Sequence, residues 1–173
     1  MAKIPLLCTD GAPVIRFRVF NTVRRGGIGV RTVQALGRIF ARLYAPGDWD
    51  GGIISVVVVG DAEIARLNAR FLGRGGPTDV LAFPLDDRTP SGSPRVIGDV
   101  VVNAEQAERV ARQRCGMGRC SPLRQASRAE LALYIVHGLL HLAGYDDHSP
   151  AQRRRMYAAE RKVFQAAGWD YVR

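Results

Sequence analysis

The sequence of 173 residues has only three cysteines and no apolar run long enough to cross a membrane. Cys8, Cys115 and Cys120 form no C-x-x-C pair, so we expect free thiols rather than a disulfide framework or a cysteine zinc site. The longest apolar stretch, residues 53–59, is strand-sized, whereas a spanning helix needs about 20 residues. The first ten residues lack the apolar segment of a signal peptide. We therefore expect a cytoplasmic protein without membrane contact, folded as a single domain over residues 1–173.

Lysine is almost absent, because 23 of the 25 basic residues are arginines and the other two are Lys3 and Lys162. With 16 acidic residues, the formal net charge is +9. Such a surplus suits a polyanionic partner such as a nucleic acid, and arginine can grip a phosphate at two points. Codon bias in a GC-rich genome would produce the same surplus, so charge alone favours a nucleic-acid partner only slightly.

Hydrophobic periodicity predicts an α+β fold, in which helices pack on a small mixed sheet. Strands are predicted at residues 14–20, 53–59, 79–83 and 96–102. Helices are predicted at 31–44 and 61–71, from 103, at about 127–142, and from 149, with a loop at 86–95 and a break at 117–122. Three helix starts are predicted from local signals: a cap by Asp61, a capping box of Asn103 with Gln106, and a capping box of Ser149 with Gln152.

All three histidines of the chain fall within residues 137–148, whose sequence is HGLLHLAGYDDH. His137 and His141 are one helical turn apart, so both imidazoles can reach one metal ion. Gly144 is expected to end the helix, after which residues 146–148 (Asp-Asp-His) can supply a third ligand. A bare H-x-x-x-H pair is common in surface or core positions, but the glycine break and the flanking aspartates favour a metal site. We expect one zinc ion per chain, although another divalent transition metal would fit the same ligand types.

The residue after the first histidine restricts the chemistry. In H-E-x-x-H metallopeptidases, the glutamate at this position is the general base. The corresponding residue here is Gly138. A peptidase that works by this route is therefore disfavoured, whereas metal-assisted hydrolysis of a phosphodiester remains open.

Three stretches resemble the YbeY family of bacterial metal-dependent endoribonucleases. Residues 137–146 match its H-G-x-L-H-L-x-G-Y-D signature, residues 68–84 are similar to its segment ending in P-T-D-V-L-S-F-P, and residues 97–102 resemble its G-D-I strand. The resemblance implies about four strands, with a zincin-like metal helix lying across the sheet. It further implies a single-strand-specific endoribonuclease that acts in 16S rRNA 3′-end maturation and ribosome quality control. Its partners would be rRNA, the small ribosomal subunit and ribosome-assembly proteins.

The family's spacing also bears on the third ligand. In the family this ligand stands six residues after the second histidine, which here is Asp147 and not His148. Met156 and Glu160 match the family's later methionine and glutamate if Asp147 is in register. The resemblance therefore implies Asp147 as the third ligand beside the two helical histidines, with His148 as the substitute.

Substrate and catalytic residues are less well defined than the ligands. The family commonly has a substrate-handling arginine where this chain has Leu72, and Arg70 or Arg74 is expected to take its part in binding RNA phosphates. Asp146 is a candidate for orienting a ligand or the attacking water, and a role in a surface turn explains it equally well. Two alternative functions stay open: a non-enzymatic ribosome-assembly factor with structural zinc, which a closed ligand set would favour, and a metallopeptidase.

Overall fold

The structure is a computed structural model that describes residues 14–24, 26–85, 95–116 and 123–171. The predicted α+β class with a four-stranded mixed sheet is confirmed. The strands are β1 (Arg16–Asn21), β2 (Ile53–Val59), β3 (Val80–Pro84) and β4 (Val96–Asn103). The helices are α1 (Val30–Tyr44), α2 (Asp61–Leu72), α3 (Ala104–Gly116), α4 (Leu123–Leu142) and α5 (Pro150–Ala166), with a 3₁₀ turn at Gly47–Trp49.

The strands lie in the order β1–β2–β4–β3. β1 and β4 run parallel to β2, whereas β3 pairs antiparallel with β4 and forms one edge of the sheet. β2 is central and its two faces are both covered, which explains its nearly continuous run of β-branched residues. The predicted metal helix, α4, packs across β3 and β4.

The two faces of the sheet are covered by different helices. On one face, Val56, Val58, Val100 and Val102 join a large core that includes residues of α1, α4 and α5. On the other face, Ile64 of α2 packs in a smaller cluster, together with Val59, Leu81 and Val101. The alternation of side chains along a strand therefore places α2 and α4 on opposite sides of the sheet.

The end of α4 is set by a glycine in a left-handed conformation. Gly144 has φ +85°, and the hydrogen bonds Tyr145 N to Leu140 O (2.9 Å) and Gly144 N to His141 O (3.0 Å) form a Schellman motif. The predicted helix stop at Gly144 is therefore confirmed. The next helix, α5, begins with the predicted capping box, in which the side chains of Ser149 and Gln152 each bond the other's backbone N–H.

The prediction that Asp61 caps α2 is wrong. The N-cap is Gly60, which makes no side-chain bond, and Asp61 is the first helical residue. Its carboxylate instead accepts hydrogen bonds from Asn103 Nδ2 (2.7 Å) and from the guanidinium of Arg109 on α3. The Asp61 carboxylate therefore binds Asn103 and Arg109 from distant segments instead of the N–H groups of its own helix.

Asn103 caps α3, but the predicted capping box with Gln106 is only half formed. Asn103 Oδ1 accepts from the backbone N–H groups of Glu105 and Gln106, both at 3.1 Å. The Gln106 side chain accepts from Arg109 rather than returning to Asn103, and the Asn103 N–H donates to the carbonyl of Asp79 (2.9 Å). This buried asparagine therefore ties the start of α3 to the start of β3.

Cys115 is bonded in a disulfide, so the expectation of a free thiol is wrong for this residue. Cys8 and Cys120 lie outside the described residues, as do the predicted break at 117–122 and all but the last residue of the predicted loop at 86–95. Within the part of the chain that the structure describes, no helix has the length and apolar character of a membrane span.

Candidate metal centre

The two histidines on α4 direct their Nε2 atoms toward each other. The distance between His137 Nε2 and His141 Nε2 is 3.1 Å. Asp147, in the loop that follows the helix, places its Oδ2 atom 3.7 Å from His137 Nε2. Ligand atoms of these three side chains all lie within 4.8 Å of one another. The structure therefore brings together the three residues that were predicted as metal ligands.

Hydrogen bonds on the far side of each ring determine which nitrogen carries the proton. His141 Nδ1 lies 3.0 Å from the carbonyl oxygen of Tyr145, which can only accept, so this nitrogen carries the hydrogen. His137 Nδ1 lies 2.7 Å from Glu160 Oε1, and the other oxygen of that carboxylate accepts a 2.6 Å bond from the Tyr171 hydroxyl. His137 therefore also donates through Nδ1. In the neutral form, both rings present an Nε2 lone pair to the same point.

Two Nε2 atoms that are 3.1 Å apart and both present a lone pair repel each other unless a proton or a metal ion lies between them. A metal ion about 2.0–2.1 Å from each imidazole nitrogen and 2.0–2.2 Å from a carboxylate oxygen would satisfy all three groups. Burial, followed by the proximity of His137, lowers the pKa of His141, so its ring favours the neutral form that binds metals. The donor set thus fits a divalent ion such as zinc.

The loop between α4 and α5 separates Asp147 from His148. Arg153 donates to the carbonyl oxygens of both residues, each at 3.0 Å, which holds the loop against the start of α5. The His148 side chain is 76% exposed and bonds to Asp146, away from the two helical histidines. It belongs instead to a second group with Asp146 and Asp147. The assignment of Asp147 as the ligand and His148 as its substitute stays a prediction, and this placement favours Asp147.

The carboxylate of Asp146 organises this loop. Its oxygens accept from the backbone N–H of Asp147 (2.7 Å), from His148 Nδ1 and from Gln152 Nε2 (3.3 Å). The His148 bond, and then the Asp147 N–H, hold the pKa of Asp146 below its usual value. With its oxygens engaged in this way, Asp146 fits the surface-turn role better than the catalytic one.

A cleft of about 340 Å³ opens beside His137. Its lining is mostly polar and includes Thr78, Asp79, Gln106, Arg114, Glu130 and Tyr134. Glu130, which is buried, forms an ion pair with Arg114 of α3. Glu130 and Tyr134 precede His137 by seven and three residues on α4, so helical spacing alone could have placed them on its face. Nothing in the local sequence identifies Arg114.

The two predicted RNA-binding arginines lie at the end of α2 and in the loop that follows it. Both are exposed, and the Arg70 guanidinium lies 5.3 Å from the centre of the Phe71 ring. Leu72, at the position of the family's arginine, is 53% exposed. Among the described residues, neither Arg70 nor Arg74 lines the cleft or belongs to the metal group. Their role in binding RNA stays a prediction.

Comparison with known proteins finds a matching family model, similar individual proteins and a solved structure of similar fold. A family model described as "Endoribonuclease YbeY" matches residues 34–168. A protein named Endoribonuclease YbeY from Anaeromyxobacter sp. is 44% identical over 144 residues, which are 83% of this chain and 68% of that protein. One of the same name from Thermobifida fusca is 35% identical over 67% of this chain and 71% of that protein. The solution structure of a Thermotoga maritima protein is similar in fold, with a TM-score of 0.51 at 23% identity, covering 90% of this chain and 92% of that one.

Proposed function

Because the chain belongs to the Endoribonuclease YbeY family, we propose that it is a metal-dependent endoribonuclease that cleaves single-stranded RNA. Its role would be the maturation of the 16S rRNA 3′ end and ribosome quality control in the cytoplasm. Its partners would then be rRNA, the small ribosomal subunit and ribosome-assembly proteins. One observation supports this proposal most strongly: the Nε2 atoms of His137 and His141, both lone-pair donors, face each other at 3.1 Å beside a carboxylate.

The metal ligands, the cleft and the two exposed arginines would have different roles in this reaction. His137, His141 and Asp147 would hold the ion, which when bound would supply Lewis-acid activation of the scissile phosphate and of water. The cleft beside His137 offers space and polar partners for the nucleotide next to the scissile bond. Arg70 and Arg74 would contact phosphates elsewhere along the strand, where they position the RNA without reading its sequence.

The ligand set supports a catalytic ion over a structural one. Structural zinc is bound by four protein ligands, whereas catalytic zinc has three and keeps one position open. Among the described residues, the group around the two helical histidines contains three ligand side chains, and one of them, His137, lines the cleft. A position open to substrate is therefore consistent with this arrangement, which weighs against a purely structural zinc.

The packing of α4 weighs against a metallopeptidase. The position at which such enzymes have their glutamate is Gly138, and a side chain there would meet Val80 and Val100 of the sheet. A general base therefore cannot be supplied from this position without displacing α4 from β3 and β4.

The test is cleavage of a single-stranded RNA by the purified full chain, stripped with a chelator and then reconstituted with zinc, manganese or magnesium. We expect cleavage only after metal is restored, and little cleavage of the matching duplex. The cleavage rate of His141→Ala should fall at least about 100-fold, because the Lewis-acid contribution of a bound metal amounts to several kcal/mol. His148→Ala is the matched control and should keep its activity. Cleavage by His141→Ala at the wild-type rate would show a contaminating nuclease and remove the basis of the proposal.

A further inference from the structure

The buried carboxylate of Glu160 connects the metal group to the segment that follows α5. Its Oε1 atom lies 2.7 Å from His137 Nδ1, and its Oε2 atom accepts a 2.6 Å hydrogen bond from the Tyr171 hydroxyl. Glu160 is 0% exposed. Burying a carboxylate is costly unless its oxygens are hydrogen-bonded, and here both oxygens have donors. Glu160 therefore links His137 of the metal group to Tyr171.

The end of α5 is folded so that Tyr171 returns to Glu160. Gly168 has φ +68°, and the Trp169 N–H bonds back to the Phe164 carbonyl at 3.0 Å, which is the long bond of a Schellman motif. The chain reverses there, and the Tyr171 ring packs edge-on against Phe164 with ring centres 5.8 Å apart. This packing brings a hydroxyl from eleven residues further along the chain to the Glu160 carboxylate.

We propose that Glu160 and Tyr171 are positioning residues of the metal centre. Glu160 holds His137 in the tautomer that has its hydrogen on Nδ1, which leaves the Nε2 lone pair for the ion, and Tyr171 fixes the Glu160 carboxylate. The inference rests on the proposed metal-binding role of His137. Tyr171 lies beyond residues 34–168, which the family model matches, so part of this arrangement comes from outside the matched segment.

The two histidines differ in what orients their rings, and only the orientation of His137 depends on a side chain from another helix. His141 is oriented by a backbone carbonyl within its own helix end. His137 is oriented by a side chain from α5, 23 residues away. Without that acceptor, the His137 ring can move its hydrogen to Nε2 and lose its ligand function. Removing such an outer partner of a ligating histidine typically lowers metal affinity 10–100-fold.

The experiment compares equilibrium zinc affinity, by competition with a chromophoric chelator, in the full-length wild type, Glu160→Gln and Tyr171→Phe. We expect Glu160→Gln to bind zinc about 10–100-fold more weakly and Tyr171→Phe about fivefold more weakly, as suits the loss of one ordinary hydrogen bond. Glu108→Gln on α3 makes the same chemical change as Glu160→Gln at a carboxylate that pairs with Arg112, and it should stay near the wild-type affinity.

A second readout does not require metal. Ring ¹⁵N NMR of the metal-free protein, at a pH where the rings are neutral, should show the His137 hydrogen on Nδ1 in the wild type. In Glu160→Gln the amide can present either its oxygen or its NH₂ group to this nitrogen, so the spectrum should show a mixture of the Nδ1–H and Nε2–H tautomers. If the wild type bound no metal, the proposed function would lose its ion, yet the ring spectrum would still test the positioning role. Unchanged affinity and tautomer in both variants would overturn the proposal. If thermal unfolding shows that Glu160→Gln does not fold, unchanged affinity and tautomer in Tyr171→Phe overturn it alone.

Discussion

A Cβ atom built on Gly138 would lie 2.5 Å from Val100 Cγ1 and 3.0 Å from Val80 Cγ2, so α4 and β4 pack together at a distance that only glycine permits. The residue between the ligand-bearing turn and the sheet is therefore fixed by packing. Gly138 directly follows His137, which is the position at which a metallopeptidase has its glutamate. The close contact of α4 with β4 therefore leaves no room for a glutamate side chain there.

Replacing this glycine should destabilise the protein. Gly138→Ala adds about 1 kcal/mol of helix propensity, but overpacking of a core contact typically costs about 1–3 kcal/mol. We expect a net loss of about 1 kcal/mol in the free energy of unfolding, measured by urea denaturation. In a Val100→Ala background the shorter of the two contacts is relieved and only that with Val80 is left, so the loss caused by the added methyl should become smaller.

Gly116→Ala is the matched control for this prediction. Gly116 is the last residue of α3, and a Cβ there would meet nothing within 4 Å. Its stability should stay within about 0.5 kcal/mol of the wild type, as for other exposed sites. A Gly138→Ala protein that is at least as stable as the wild type would mean that α4 does not pack so closely on the sheet.

The sequence predicts best those features that depend on interactions between neighbouring residues. Periodicity is local, so the run IISVVVV indicated a covered strand and the spacing of His137 and His141 indicated a shared helix face. Both features need only neighbouring residues. The position of Gly144 was similarly informative, because a Schellman motif is defined within one helix end.

The rest of the site depends on contacts between distant segments. Asp61 has the local signature of a cap, but Arg109 and Asn103 bind its carboxylate from another helix and strand end. Only its spacing distinguishes Glu160 in the sequence, and nothing near it indicates that His137 is its partner. No local pattern in the sequence points to Tyr171, because its contact with Glu160 requires the chain reversal after α5.

The ion pair of Asp61 predicts how stability depends on pH. The pKa of Asp61 lies below its usual value, and the hydrogen bond from Arg109 is the largest cause of this shift. A carboxyl with a depressed folded-state pKa contributes stability that is present above its unfolded pKa of about 3.9 and is lost as the pH falls through the folded value. We expect Asp61→Asn to lose about 1 kcal/mol at pH 7, with the difference from the wild type vanishing in acid.

Denaturation curves of both proteins between neutral pH and strongly acidic pH would measure this dependence. Glu63→Gln removes the carboxylate of an exposed pair with Arg66 on the same helix and should show a smaller difference. A deficit of Asp61→Asn that persists unchanged in acid would show that shape, and not charge, makes the contribution of Asp61.

Removing the arginines near the end of α2 should weaken RNA binding without changing its sequence preference. Each phosphate contact with single-stranded RNA contributes about 0.7 to the slope of log K against log salt, so Arg70→Ala combined with Arg74→Ala should lower that slope by about 1.4. Arg38→Ala with Arg42→Ala removes the same charge from exposed positions of α1 and controls for net charge. Equal effects of the two double variants would mean that α2 is not a specific contact surface.

Metal content should distinguish Asp147 from its neighbour His148. Asp147 Oδ2 lies 3.7 Å from His137 Nε2, whereas the His148 ring is exposed and directed to Asp146. We therefore expect Asp147→Ala to bind zinc at least tenfold more weakly, because it loses one of three ligands, and His148→Ala to retain it, as measured by elemental analysis after dialysis. Imidazole is a common zinc ligand, and a different turn of the loop at 145–149 would present His148 to the ion in place of Asp147. Such an exchange would reverse the result, with metal lost from His148→Ala and kept by Asp147→Ala. In that case the family spacing would not hold in this chain, and the Arg153 bonds to the two carbonyls would not fix the loop in the arrangement described here.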